Sequence, residues 1–143
     1  MDGRCLFCRI VQGELPAHKV YEDDRVLAFL DIHPSAPGHT LIIPKIHATR
    51  IEDMPREDAY ALFEALHRLV GRIQEAVDAP SSTVGINNGP ESGQEVPHVH
   101  IHVIPRFRGD GGGIIQGVAR SGRRLSQEEM RRIAERIKEL SSV

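Results

Sequence analysis

The sequence contains no tryptophan, and aromatic residues make up only 4% of its 143 residues. It also lacks any apolar run near the roughly 20 residues that span a bilayer, so a membrane-spanning protein is not expected. Positive charge is not in excess, because 18 lysines and arginines are set against 20 aspartates and glutamates. A nucleic acid polymer is therefore not an expected partner, since binding to a phosphate backbone relies on clustered basic residues.

Cysteine is scarce as well, and the two that occur are Cys5 and Cys8. The first residues, MDGRCLFCRI, do not have the pattern of a secretory signal, so we expect a cytoplasmic protein without a structural disulfide. The C-x-x-C spacing then indicates a redox pair, half of a metal site, or two inert buried thiols. A thioredoxin-like pair follows a strand, and the four residues before Cys5 are too few to form one, which favours the metal site.

Hydrophobic patterning predicts a single α+β domain with an antiparallel sheet. Residues 58–77 place apolar side chains three to four apart, which predicts a long amphipathic helix. Ser126-Gln127-Glu128-Glu129 has the form of a capping box and predicts a C-terminal helix. We assign residues 1–107 to the main body of the domain, and residues 108–143 to a glycine-rich loop and C-terminal helix of the same domain. The predicted strands comprise Val20-Tyr21 and residues 25–31, 39–44, 83–88 and 99–104.

Histidine is the residue in excess, with eight copies in a small and slightly acidic chain. His98, His100 and His102 alternate with β-branched residues, so they line one face of a strand whose other face packs against the helix. In a straight strand they extend over roughly 13 Å, which is too far for all three to bind one metal ion. We therefore expect separate tasks, with one histidine binding a metal and the others performing nucleophilic or acid–base chemistry.

The run from His98 to Ile104 has the pattern His-φ-His-φ-His-φ-φ, where φ is an apolar residue, and it resembles the histidine-triad (HIT) family of nucleotide hydrolases and transferases. Together with other segments that are similar to the family, the resemblance covers about residues 5–107. Those segments are residues 29–34, residues 37–45, Asn87-Asn88-Gly89-Pro90 and Gly93-Gln94. The tail beyond Phe107 matches less well.

The resemblance implies a five-stranded antiparallel sheet with a long helix packed on it. It also implies a homodimer, in which that helix and the fourth strand meet their symmetry mates. Ile73, Val77 and the strand from Val84 to Ile86 are the expected interface positions. Periodicity alone does not distinguish a dimer interface from the core at these positions.

The resemblance also assigns chemistry to single residues. His100 is expected to attack the α-phosphate of a nucleotide and form a covalent nucleotidyl-histidine, from which water releases the nucleoside monophosphate. This attack needs one unprotonated ring nitrogen, so we expect a backbone carbonyl to hold the N–H of the other. His102 and His39 would flank the phosphate as hydrogen-bond donors or proton sources.

Other positions of the resemblance concern the substrate, which is expected to be a purine nucleotide or nucleotide adduct. A nucleoside 5′-phosphoramidate or related adduct is the leading expectation. Asn87 and Gln94 would contact the phosphate and the leaving group, and Asp31 would pair with the ribose hydroxyls. The wall of the base pocket would be formed by Ile10, Phe29 and Ile32.

The resemblance implies structural zinc as well. Some members of the family bind zinc through two cysteines, a histidine after a strand and the first histidine of the triad. Matching residues here are Cys5, Cys8, His47 and His98. Such a set forms a closed tetrahedral site, which would attach the N-terminal segment to the sheet and fix the strand that carries His100.

Two alternatives stay open. Dinucleoside polyphosphate hydrolysis is one, because arginines at positions 106, 108, 120, 123 and 124 could contact a longer anion. A nucleotide-binding regulatory protein with little turnover is the other. Glu95 departs from the family, in which many members have Ser or Thr after the glutamine. A carboxylate at this position would repel an anionic leaving group and favours an amine.

Overall fold

The structure is a computed structural model that describes residues 5–141. The first four and the last two residues lie outside this part. The start of the segment considered as a secretory signal and both ends of the predicted domain therefore also lie outside the described residues. In chain order the main elements are α1 (Leu6–Val11), β1 (Lys19–Glu22), β2 (Val26–Leu30), β3 (Thr40–Pro44), α2 (Arg56–Ala76), β4 (Ser81–Gly85), β5 (Ile101–Arg106) and α3 (Gln127–Ser141). Single-turn 3₁₀ helices occur at Ile51–Asp53, Pro90–Ser92 and Ile115–Gly117.

The five strands in this part of the chain form one antiparallel sheet with the order β1-β2-β3-β5-β4. The predicted α+β fold, with a five-stranded antiparallel sheet, one long helix and a C-terminal helix, is therefore confirmed. β5 lies inside the sheet, and Leu41 of β3 and Gly85 of β4 are the partners of His102 on its two sides. The strand that carries the histidines is thus held on both sides.

Both faces of the sheet are covered, and this explains why β2 and β3 are buried almost throughout instead of alternating with exposed residues. Val26 and Ala28 of β2 pack in the cluster beneath α2. Leu27 and Phe29 pack on the opposite side, in the cluster that contains α1. Odd-numbered residues of β2 and β3 therefore point to the α1 face, which is the name used below for this side of the sheet.

α2 covers the other face with a buried apolar stripe, as its sequence period predicts. Glu57 and Asp58 lie in its first turn, where carboxylates interact favourably with the helix dipole. The helix ends before Asp78, whose φ of 56° is left-handed and lets the Ala79 N–H bond to the carbonyl of Gln74 at 2.9 Å. The stripe consists of Leu62, Ala65, Leu69 and Ile73.

The structure differs from the sequence predictions mainly at three elements, and the bounds of the other predicted elements differ by one or two residues. α1 was not predicted, because six residues are too few to show a helical repeat. β4 begins and ends earlier than the predicted strand, at Ser81–Gly85. β5 begins two residues later than predicted, at Ile101, and it continues through Pro105. Proline is tolerated there because β5 pairs only with β4 beyond Val103, so this end of the strand is an edge.

α3 begins with the predicted capping box. The Glu129 N–H donates to Ser126 Oγ at 3.1 Å, and the Ser126 N–H donates to Glu129 Oε1 at 3.2 Å. None of the described residues of α3 is buried, so its apolar stripe is uncovered within this chain. The stripe consists of Met130, Ile133, Ile137 and Leu140. Neither α3 nor any other helix within residues 5–141 combines the length and apolarity needed to cross a membrane.

Candidate active site and metal centre

A cavity of about 690 Å³ opens on the α1 face of the sheet. Alternation along the strands accounts for its lining, because Phe29 and Asp31 continue the odd-numbered face of β2, and His39 and Leu41 continue that of β3. His102 lies beside Leu41 in the sheet and points to the same side. The predicted site residues found in the lining are Ile10, Phe29, Asp31, Ile32, His39, Asn87, His100 and His102.

One ring nitrogen of His100, Nδ1, is hydrogen-bonded to the backbone, and the other, Nε2, is the nitrogen available to a ligand in the cavity. Its Nδ1 lies 2.7 Å from the carbonyl oxygen of His98, and a carbonyl can only accept, so Nδ1 carries the proton. In the neutral ring, Nε2 then has a lone pair. The ring is buried and packs edge-on against Phe7 at 5.1 Å between centroids, which fixes its orientation. The expectation that a backbone carbonyl holds this ring agrees with the geometry.

His39 and His102 form a hydrogen-bonded chain that starts at a backbone amide. The Ser35 N–H donates to His39 Nδ1 at 3.0 Å, so the proton of a neutral His39 resides on Nε2. That atom lies 2.9 Å from His102 Nδ1 and donates to it. The proton of a neutral His102 is consequently on its Nε2. One backbone amide thus sets the tautomers of both rings.

Burial keeps these two rings neutral. The pKa of His102 is lowered to about 4, mainly by burial and also by the nearby rings of His100 and His39, while the Asp31 carboxylate opposes them. Burial also lowers the pKa of His39 against the opposing effect of Asp31. Neutral rings are what the chain of hydrogen bonds requires, since each ring must accept on one nitrogen and donate from the other.

Asp31 lies at the junction of the histidine chain and the apolar wall. Its Oδ1 accepts from the His33 N–H at 2.9 Å, and its Oδ2 lies 3.6 Å from His39 Nε2. The carboxylate is only partly exposed, and Ile32 next to it is 73% exposed at the cavity margin. Asp31 is therefore placed for a polar part of a ligand, and Phe29 and Ile10 for an apolar part.

The sequence predicts that Gln94 contacts the substrate, but this side chain is outside the cavity lining and its amide is engaged elsewhere. Its Oε1 accepts from the Gly89 N–H at 2.8 Å, and its Nε2 donates to the carbonyl of Thr49 at 2.8 Å. Gln94 thereby ties the loop after β4 to the segment after β3. Its neighbour Glu95 does line the cavity, as does Asn87 at the start of the same connection.

The four predicted metal ligands come together beneath α1. One donor atom from each of Cys5, Cys8, His47 and His98 lies within 4.8 Å of all the others. His98 Nδ1 is 3.3 Å from Cys5 Sγ and 3.5 Å from Cys8 Sγ, and His47 Nδ1 is 3.2 Å from Cys8 Sγ. A tetrahedral ion with ordinary Zn–S and Zn–N bonds holds its ligands roughly 3.3–3.8 Å apart. The group is therefore of the right size to bind a metal.

The chemistry of this group also fits a metal. His98 Nε2 donates to the carbonyl of Pro44 at 2.8 Å, which leaves the Nδ1 lone pair directed at the cysteines. Burial lowers the pKa of His98 to about 4, although the Pro44 carbonyl raises it, so the ring is neutral as a ligand must be. No disulfide joins Cys5 to Cys8. Both cysteines are buried, and the Cys8 N–H donates to Cys5 Sγ at 3.4 Å.

A second group, formed by Asp31, His39 and His102, also has donor atoms within 4.8 Å of one another. Its hydrogen bonds argue against a metal. Because His39 Nδ1 accepts from Ser35, His39 Nε2 carries a proton and has no lone pair to offer an ion. This group is therefore a hydrogen-bonded relay.

Phe7 is the main residue of the site that the sequence does not reveal. Its ring packs edge-on against Phe29, His98 and His100, with centroid separations of 5.5, 5.9 and 5.1 Å. It connects the metal group to the cavity. The signal for it was its position between Cys5 and Cys8, because a residue between two ligands of one metal is held close to that metal group.

Comparisons with known proteins agree with this geometry. The sequence model of the HIT domain matches residues 12–109. Protein hit of Bacillus subtilis is 42% identical over 112 residues, which cover 78% of this chain and 77% of that protein. Adenosine 5′-monophosphoramidase HNT1 of Saccharomyces cerevisiae is 41% identical over 117 residues, which cover 82% of this chain and 71% of that protein. A crystal structure from Streptococcus mutans superposes with a TM-score of 0.89 at 36% identity, covering 99% of this chain and 88% of that one.

The chain belongs to the histidine-triad (HIT) family. The family match contains the triad itself and His39, and it begins after Cys5 and Cys8. The match therefore includes His47 and His98 of the metal group, while the two cysteines are assigned to the group by its geometry alone. Relatives of the chain include an enzyme named as a phosphoramidase.

Proposed function

We propose that this protein is a hydrolase or nucleotidyl transferase that cleaves at the α-phosphate of a nucleoside 5′-phosphoramidate or related adduct. The observation that carries the proposal is the His100 ring, whose Nδ1–H is held by the His98 carbonyl while Nε2 is left as a nucleophile in the cavity. A protein that only binds nucleotides does not need an oriented imidazole with an unprotonated nitrogen. A named phosphoramidase among the relatives supports the same reaction class.

In the proposed reaction, His100 Nε2 forms a bond to the α-phosphorus while the bond from phosphorus to the leaving amine breaks. The amine departs with its electron pair and takes up a proton. His102 Nε2–H is the proton source that the relay provides, and His39 supports it through its own Nε2–H. Water then attacks the phosphorus of the nucleotidyl-histidine, and the bond from phosphorus to His100 Nε2 breaks. The water returns to the His39–His102 pair the proton that this pair gave to the amine, the nucleoside monophosphate is released, and the His100 ring is neutral again.

The remaining lining residues would bind the nucleotide. Phe29, Ile10 and Ile32 offer an apolar wall for a purine base, and Asp31 offers two oxygens to the ribose hydroxyls. Asn87 lines the same cavity, and its side-chain amide would donate to the phosphate. For Gln94 the hydrogen bonds favour a positioning role, since its amide holds the loop that carries Glu95.

We propose zinc as the ion of the metal group, because two thiolates and two imidazoles form a closed set typical of structural zinc. Cys5 and Cys8 would hold α1 against the sheet, and His98 would hold the chain just before β5. The backbone carbonyl of the same residue, His98, orients the nucleophile. Zinc would therefore stabilise the position of His100 without touching the substrate.

A homodimer is part of the proposal. Ile73 is 8% exposed and packs in the core of its own chain, so it offers little surface to a partner. Val84 and Ile86, in or directly after the edge strand β4, are half-buried and remain candidates, as does the half-buried Val77 at the end of α2. The uncovered stripe of α3 is a further apolar surface that a second copy could bury.

The proposed activity is tested by mixing the protein with adenosine 5′-phosphoramidate and, separately, with diadenosine tetraphosphate, and measuring AMP release. We expect AMP from the phosphoramidate, and a loss of about 10³-fold or more in His100→Ala. His67→Ala is the matched control, because His67 is an exposed histidine on α2 outside the cavity. Faster cleavage of the tetraphosphate would support the polyphosphate alternative. Tight AMP binding without turnover of either compound would support the regulatory alternative, and both outcomes would refute the proposal.

A further inference from the structure

Asp31 is held beside His39 by contacts of both the backbone and the side chain. The two residues lie just beyond the paired ends of β2 and β3, where the Asp31 N–H donates to the carbonyl of His39 at 2.9 Å. In the side chain, Asp31 Oδ2 lies 3.6 Å from His39 Nε2. The carboxylate is 18% exposed and the imidazole 4%, so water screens their interaction only weakly. Asp31 therefore belongs to the immediate surroundings of the His39–His102 pair as well as to the cavity wall.

No basic side chain in the described part of the chain neutralises this carboxylate. Within residues 5–141 its only ion-pair partner is His39, and neither lysine nor arginine lines the cavity. Its other oxygen, Oδ1, accepts from a neutral backbone group, the His33 N–H. The negative charge of Asp31 consequently acts on the buried rings beside it, where it opposes the lowering of the pKa of both His39 and His102.

The charge bears on proton transfer, because it lies next to the nitrogen that links the two rings. His39 Nε2–H donates to His102 Nδ1 at 2.9 Å, and the Ser35 N–H occupies His39 Nδ1 on the far side of the ring. A carboxylate beside His39 Nε2 raises the proton affinity of the pair. It therefore opposes the release of a proton to the leaving amine, and it favours the recovery of a proton from water.

We infer that Asp31 is a positioning residue for the second step of the reaction, in which its charge promotes the return of a proton from water to the His39–His102 pair. This inference rests on the proposed function and gives Asp31 a role that does not depend on the ribose. In this step the water oxygen bonds to phosphorus, and the electron pair of the broken bond returns to His100 Nε2. One proton of the water goes to the His39–His102 pair. Without the carboxylate this uptake is weaker, so the nucleotidyl-histidine is hydrolysed more slowly and accumulates.

Asp31→Asn tests the inference, because it removes the charge and keeps an oxygen that can accept from the His33 N–H. The substrates are adenosine 5′-phosphoramidate and its 2′,3′-dideoxy analogue, which lacks the hydroxyls that Asp31 is proposed to bind. Intact mass after an alkaline quench gives the ratio of adenylylated to free protein during turnover at saturating substrate. On both substrates we expect this ratio to rise about three- to tenfold, as for a base whose pKa falls by up to one unit. AMP release gives kcat/KM, which should fall for the adenosine compound and not for the dideoxy analogue.

Two further variants separate the charge from other effects of the substitution. Asp31→Ser removes the carboxylate without placing an amide beside His39, and it should raise the ratio as Asp31→Asn does. Asp24→Asn is the matched control, because Asp24 is an exposed aspartate just before β2 that does not line the cavity. It should leave the ratio unchanged. Thermal unfolding measured beside the kinetics checks that all variants are folded.

The outcomes distinguish the inference from the proposed function. If AMP is released and the ratio of adenylylated to free protein in Asp31→Asn equals that in the unmodified protein, Asp31 serves the ribose alone. The inference is then wrong, while the proposed function stands. If the unmodified protein releases no AMP from either compound, the proposed function itself fails.

Discussion

Two backbone groups, the carbonyl of His98 and the amide of Ser35, determine where the protons of the histidines reside. The first holds the Nδ1–H of His100, and the second makes His39 donate to His102. A carbonyl can only accept and an amide can only donate, so both tautomer assignments follow from chemistry. At the residue scale, these two groups therefore determine which nitrogen of each ring carries the proton when the ring is neutral, and burial keeps His39 and His102 neutral.

The neutral state of His102 predicts a pH dependence of stability. Its pKa is about 4 in the folded protein and near 6.5 when unfolded, so the unfolded chain binds more protons between these values. The contribution of the neutral His102 ring to the free energy of unfolding is fully present above pH 6.5, and it is lost as the pH falls toward 4. We expect His102→Gln, whose amide can still accept from His39, to lose less stability over this interval.

Urea unfolding at pH 7, 5.5 and 4.5 measures this difference as the free energy of unfolding. A metal held by the metal group would also be released in acid, but the group is common to both proteins, so this effect cancels in the comparison. His67→Gln serves as a control, because His67 is exposed and should leave the acid loss unchanged. Parallel curves for the unmodified protein and His102→Gln would contradict the assignment of a buried neutral ring.

At the scale of elements, α1 depends on the metal group more than on its own length. Six residues do not form a stable helix alone, and Cys5 and Cys8 attach this one to His47 and His98. Phe7, between the cysteines, then packs on His100, the proposed nucleophile. α1 therefore contributes both to the candidate metal group and to one wall of the cavity.

Zinc removal tests this dependence. We expect about one zinc per chain in the purified protein, and a fall in Tm of about 10 °C on chelation or in Cys5→Ser, because saturating metal contributes several kcal/mol to stability. Metal analysis with thermal unfolding measures both quantities. His67→Ala, which changes a histidine outside the group, should retain the zinc and the Tm. A metal content that is unchanged in Cys5→Ser would exclude Cys5 as a ligand.

Much of the element pattern could be predicted from the sequence, because β-branched runs and the stripe of α2 repeat with a clear period. The period of two also placed His98, His100 and His102 on one face. α1 could not be predicted in this way, because what holds it in place is the metal group and not a repeat in its own sequence. Cys5 and His98 of that group are 93 positions apart, so no local pattern connects them. The role of Gln94 in holding a loop was equally hidden, because its partners Gly89 and Thr49 are backbone groups brought close only by folding.

At the scale of the whole molecule, α3 stands apart because none of its described residues is buried against the rest of the chain. Its four apolar side chains are 47–68% exposed, and a stripe of this kind is ordinarily buried. The Streptococcus mutans structure nevertheless superposes over 99% of this chain, so a relative places the corresponding segment similarly. A second copy of the chain that covers the stripe accounts for both facts.

We therefore expect a dimer in solution and a weakened dimer in the double variant Ile133→Glu and Ile137→Glu, because charges would replace the apolar contacts. Light scattering after size exclusion, over a dilution series, measures the mass. Arg132→Gln changes an exposed polar residue of the same helix and should leave the dimer intact. A monomeric mass for the unmodified protein at all concentrations would contradict the homodimer, and an undiminished dimer in the double variant would exclude the stripe from the interface.

The central claim is that His100 forms a covalent bond to the α-phosphorus, and the most direct test is to trap that bond. The protein is mixed with adenosine 5′-phosphoramidate, quenched within milliseconds in alkaline denaturant and analysed by mass spectrometry of the intact chain and its peptides. We predict a mass increase of one adenylyl group, located on His100 and absent in His100→Ala. An adenylyl group on another residue, or AMP release at the full rate from His100→Ala, would contradict the account.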